Sequence, residues 1–112
     1  MESPVNDYLL VLNTCPNSEV AQQIADILVS QSMAACVNIM PGLSSTYLWQ
    51  GKIERASEVL LLIKTHVTKY QDLQQTLEQL HPYELPEIIA VPLARGLTPY
   101  LDWIATSIGL DK

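Results

Sequence analysis

The densest concentration of groups able to do chemistry is His81-Pro82-Tyr83-Glu84-Leu85-Pro86-Glu87. It places an imidazole and two carboxylates within seven residues, with two prolines stiffening the chain between them. Imidazole suits copper, zinc or nickel, and carboxylates accept most divalent ions, so His81 and Glu84 are candidate metal ligands. The same residues also have a purely structural reading. A histidine at a helix C-terminus meets the last carbonyls, and prolines turn a chain from helix to strand. No H-x-x-x-H or C-x-x-C spacing accompanies the segment.

Cys15 and Cys36 are the only thiols. Cys15, expected in a loop before a helix, is the more reactive candidate and a third possible metal ligand; Cys36 is expected in the core. They fall at opposite ends of parallel strands, too far apart for a disulfide. Lys64 follows a five-residue apolar run. It reads as a snorkelling side chain, as an anion partner in a pocket, or as an ion-pair partner of Glu58 or Glu87. His66 reads as a surface residue. Tyr47 and Trp49 alternate onto one strand face, where they can stack on a ligand or fill a subunit interface. Gly51-Lys52 is no P-loop, there is no G-x-S-x-G, and no Cys/His pair is expected to meet. The expectation is therefore a protein that is not an enzyme.

The elements that must position these groups can be read in order. Tyr8–Asn13 is an apolar run typical of a strand buried on both faces. Val20, Ile24, Ile27 and Leu28 make a helical stripe over 18–32. Residues 34–50 are extended in character, with a bulge or kink expected at Pro41-Gly42. A tight turn at Gln50-Gly51-Lys52 leads to a return strand over 53–65. Thr68 and Gln71 match a capping box, and Tyr70, Leu73, Leu77 and Leu80 follow at helical spacing. Glu87–Leu93 is a strand, and Thr98-Pro99 caps a last helix closed by Gly109.

The order β-α-β-β-α-β plus a C-terminal helix is an α+β, ferredoxin-like (split β-α-β) arrangement, expected to have the antiparallel sheet order 4-1-3-2. Pro41 and Pro92 fall on the second and fourth strands, the edges of that order, where a missing donor is tolerated. The hairpin formed by strands two and three is long. A seventeen-residue extended segment reaches about 50 Å, whereas a fifteen-residue helix spans only about 22 Å. Its tip carries Tyr47, Leu48, Trp49 and Ile53, so a symmetric homo-oligomer is expected to cover it.

One domain over 1–112 is expected, with 1–6 as a flexible N-terminal tail. Twelve acids against six Lys/Arg give a formal charge of −6, which argues against nucleic acid and favours cations. No apolar run is long enough for a transmembrane helix, so no membrane partner is expected. The N-terminal residues lack the basic and apolar regions of a signal peptide. The expected compartment is the reducing cytoplasm.

Several segments together resemble the CutA-like divalent-cation-tolerance proteins. They are Ala35–Ile39 followed by Pro41-Gly42, Tyr47–Ile53, Glu58-Val59 with Ile63-Lys64-Thr65, and His81–Ile89. The resemblance extends from about Tyr8 to Ile108. It implies a ferredoxin-like fold, a cytoplasmic homotrimer, a link to copper and other divalent ions with no obligatory cofactor, and kinship to the trimeric PII signalling proteins. It supports His81 best among the metal candidates. Some members carry a cysteine at the position of Asn13 and a second histidine at that of Leu80, so two plausible copper ligands are missing here. Tyr47, Trp49, Lys64, Tyr83 and Glu87 match a pocket between subunits. A PII-like trimer holding a small anionic metabolite at Lys64 and Tyr83, or anchoring a partner protein, is the rival expectation.

Overall fold

A computed structural model describes residues 7–110. The expected tail, 1–6, lies outside the described residues. Strand β1 spans Tyr8–Cys15, helix α1 Ser18–Ser30, β2 Cys36–Trp49 and β3 Lys52–His66. Helix α2 spans Val67–Leu80, β4 Ile88–Pro92 and α3 Thr98–Ser107. The strands form one antiparallel sheet ordered β2-β3-β1-β4, as the prolines had indicated.

Strand alternation sorts the sheet into two faces. Val11 and Cys15 of β1 and Val59, Leu61 and Ile63 of β3 point to one face. There they pack with Ile24 and Leu28 of α1 and Leu73 and Leu77 of α2 in a single core. The other face is covered only at one end. Leu101, Ile104 and Ile108 of α3 bury Tyr8 and Ala35 there. The rest of that face is apolar and uncovered: Met40 is 51% exposed, Ile89 51% and Val91 45%.

Between Met40 and Leu43, β2 carries one more residue than β3, a bulge at Pro41-Gly42. Gly42 has φ +87°, a conformation that a side chain resists. The extra residue shifts the side-chain alternation of β2. Met40 lies opposite Leu60, and beyond the bulge Leu43 lies opposite Glu58 and Tyr47 opposite Glu54. Tyr47 and Trp49 thereby share the face of Glu58; an unbulged strand would have put them on the other side. At the hairpin tip Gln50 and Gly51 both have positive φ, the two-residue turn that matches strand twist. Leu48 and Ile53 at that tip are exposed, and the molecule is 50 Å long but only 26 × 23 Å across.

Some local readings are corrected. β1 runs two residues further, through Cys15, because pairing with Leu60 and Val59 continues there. Thr68 does not cap α2. The N-cap is His66, whose Nδ1 accepts the Thr68 N–H at 3.2 Å. Leu97, not Thr98, is the N-cap of α3, and its side chain makes no capping bond.

Truncating a fully buried core residue should be costly. Leu77→Ala is expected to destabilise by about 2–5 kcal/mol, and Leu85→Ala, at an exposed site, by under about 0.5 kcal/mol. Urea midpoints at one fixed protein concentration measure both. Equal shifts would contradict this placement of the core.

Candidate functional site

The site grows from the end of β1. Pairing with β4 stops at Asn13 opposite Ile88, so the polar groups of the next turn need other partners. Thr14 has its carbonyl met by His81 Nε2 at 2.8 Å. Asn13, fully buried, donates from Nδ2 to the Glu87 carbonyl at 2.7 Å. These two bonds clamp the 81–87 segment, stiffened by Pro82 and Pro86, across the sheet end. His81 Nδ1 accepts the Tyr83 N–H at 3.2 Å, and the two rings stack at a tilt with centroids 4.7 Å apart. Tyr83 is thus aimed at Glu58, to whose Oε2 its hydroxyl donates at 2.7 Å.

Around that pair lies a cleft of about 750 Å³. Tyr47 and Trp49 of the hairpin, Thr14, Glu84 and Glu87 also line it, and no Lys, Arg or His is among its lining residues. Burial, and then the Glu58 bond, push the Tyr83 phenol well above its usual range, so the hydroxyl stays a donor.

The sequence-derived candidates are placed as follows. Tyr47, Trp49, Tyr83, Glu84 and Glu87 come together in this cleft. Lys64 does not join them within the chain. It pairs with Leu10 and Cys36, six residues or about 20 Å along β3 from Glu58, and its Nζ sits 5.7 Å from the Tyr100 ring centroid. That excludes the expected ion pairs with Glu58 or Glu87. Both thiols are placed differently from expectation. Cys15 is fully buried and Cys36 only partly. Burial, and secondarily the charge of Glu58, push the Cys15 thiol up to about 11, so it is an inert thiol and not a reactive one.

Contrary to expectation, a Cys/His pair does meet: Cys15 Sγ lies 3.9 Å from His81 Nε2. It is not a nucleophile–base pair. Nε2 carries its proton toward Thr14, and Nδ1 is occupied by Tyr83. For the same reason His81 offers a metal no free lone pair. Among the described residues no three His, Cys, Asp or Glu side chains lie close enough to hold a metal ion together, so His81, Glu84 and Cys15 are not assembled as a ligand set.

The surface placement expected of His66 is corrected: its ring is buried and caps α2, because the end of β3 carries it under the helix. Glu58 was read only as an ion-pair partner and not as a cleft wall; an acid just before the apolar run Val59–Ile63 was the visible signal.

A model of the family described as CutA1 divalent ion tolerance protein matches residues 9–107. The chain is 48% identical to the divalent-cation tolerance protein CutA of Thermus thermophilus, over 89% of this chain and 97% of that one. It is 47% identical to the mouse Protein CutA but spans only 51% of that longer protein. It superposes on the crystal structure of CutA from Xylella fastidiosa with TM-score 0.89 at 48% identity, covering 91% of this chain and 98% of that one. It superposes on a CutA from Archaeoglobus fulgidus, described as a periplasmic divalent cation tolerance protein, with TM-score 0.88 at 38% identity, covering 90% and 98%.

The two histidines predict a pH dependence. Burial lowers both below the ordinary 6.5. In each, Nδ1 accepts a backbone N–H that a protonated ring could not accept. Above pH 6.5 both states hold neutral rings. Below it the unfolded chain takes up protons first, so stability falls as pH drops toward the lowered folded values. Melting temperature should decline between pH 7.5 and 5.5, and the decline should flatten in the His66→Gln/His81→Gln double variant. A rise in melting temperature on acidification would contradict both placements.

Proposed function

Because the chain belongs to the CutA1 divalent ion tolerance family, we propose that it acts as a non-enzymatic, cytoplasmic homotrimer that binds divalent cations, copper foremost, in the response to metal ions. The observation that carries this reading is the sign of the cleft. Glu58, Glu84 and Glu87 line it and nothing basic does, in a chain of net charge −6. The cleft carboxylates are the groups offered to a cation. His81 would have to surrender its bond to Thr14 before ligating one. The rival, an anionic metabolite held by Lys64 and Tyr83, needs these residues from two different chains, because within one chain they lie at opposite ends of the sheet face.

The uncovered apolar face and the projecting hairpin support assembly. Met40, Ile89 and Val91 would otherwise leave a contiguous patch in water. A reducing compartment suits two free cysteines, although the Archaeoglobus relative is described as periplasmic. Among the described residues no helix is long and apolar enough to cross a membrane.

Two measurements test the proposal. Isothermal titration of Cu²⁺ should show saturable binding that Glu58→Gln weakens about tenfold, while His81→Gln changes it less than about threefold. The absence of binding up to millimolar Cu²⁺ would sink the cation reading. Sedimentation velocity should give a mass of three chains at micromolar concentration, and Ile89→Glu should dissociate it. A monomeric wild type would refute the assembly.

A further inference from the structure

We propose that the cleft beside Glu58 receives an organic ammonium cation, a small alkylated amine seated between aromatic walls against the Glu58 carboxylate. The inference rests on the reading that this cleft takes cations, and it names the class of cation.

The first reason is an incompletely satisfied carboxylate. Glu58 is only 8% exposed, yet among the described residues the only hydrogen bond to its carboxylate is the one from Tyr83. The Tyr83 hydroxyl meets one oxygen in a short charge-assisted bond, and beside the other, which keeps access to solvent, no basic side chain lines the space. The second oxygen is free to meet a positively charged donor or a polarised C–H next to a quaternary nitrogen.

The second reason is the walls. Tyr47, Trp49 and Tyr83 all line the cleft, and the Pro41-Gly42 bulge is what turns Tyr47 and Trp49 to this face. Aromatic faces attract cations that shed water easily, as alkylammonium groups do, with Trp the strongest partner. A divalent ion would be drawn by the carboxylates alone, with much of its water shell kept, and the aromatic faces add a preference that only an organic cation can use. The third reason is size. About 750 Å³ lies within the roughly 300–1,000 Å³ of small-molecule sites and far exceeds the volume of a bare ion. Glu84 and Glu87, both exposed, add a screened attraction at the mouth.

The test uses tetramethylammonium chloride as probe, titrated into the full chain at constant ionic strength with NaCl as the balance. Trp49 fluorescence is read in a Trp103→Phe background. Saturable quenching is expected in the millimolar range or tighter. Trp49 is the reporter, so the wall is tested by calorimetric titration of Trp49→Ala, which should raise Kd about five- to thirtyfold. Glu58→Gln keeps an oxygen for the Tyr83 hydroxyl and should fold, as circular dichroism would check; it too should raise Kd about tenfold. No saturation up to about 50 mM would overturn the proposal, as would equal competition by Na⁺ or wild-type affinity in both variants. If tetramethylammonium fails while Cu²⁺ still binds through Glu58, only the organic-cation inference falls. If both fail, the cation reading of the cleft falls with it.

Discussion

His81 and the carbonyl of Thr14 hold the working end of this molecule together. Pairing with β4 stops two residues short of the end of β1, so Thr14 reaches the sheet end with its carbonyl facing no strand on that side. An unpaired buried carbonyl costs on the order of 1–3 kcal/mol, and the imidazole N–H removes that cost. Once Nε2 is committed there, the tautomer is set, and Nδ1 becomes the acceptor that orients Tyr83. Tyr83 in turn fixes the Glu58 carboxylate. Asn13 adds a second tie, to Glu87, at the far end of the same segment. Cleft geometry is therefore a consequence of how a strand end satisfies its backbone.

The hairpin contributes the other half through a different constraint. One surplus residue at Pro41-Gly42 shifts the alternation of everything beyond it. The core half of β2 then presents Val37 and Ile39 to the helices, while the tip half presents Tyr47 and Trp49 to the cleft face. A strand with a single alternation could serve the core or the cleft, but not both.

Much of this was legible in the sequence for physical reasons that are local. Two prolines named the edge strands, since a missing donor is tolerable only there, and Pro41-Gly42 named the bulge. The helical stripes and the long hairpin followed from periodicity and length. What could not be read was non-local. Thr68 and Gln71 spell a capping box, yet His66 is placed two residues earlier by the end of β3 and takes the cap. Cys15 looked like a loop thiol because pairing with Val59 is invisible in the chain around it. His81 carried the right chemistry for a metal, but whether its lone pairs are free depends on Thr14 and Tyr83, one of them 67 residues away. Lys64 and Glu58 lie six positions apart on one strand face, which places them at opposite ends of a sheet and out of reach within one chain.

The cleft and the uncovered apolar patch lie on the same sheet face, so the proposed assembly and the proposed cation binding would be linked. Thr14, Glu58, Leu60, Leu62 and Met40 share that face by register, so a copy docked on Met40 and Ile89 would border the cleft. Excluding water from its rim lowers the local dielectric, which strengthens the attraction between Glu58 and a bound cation and raises the cost of leaving Glu58 alone. By linkage, a cation that binds the assembled form more tightly must stabilise assembly by the same factor. The Glu58 carboxylate, with one oxygen held by Tyr83 and the other open to the cleft, would then be the element through which occupancy of the cleft and association of chains act on each other.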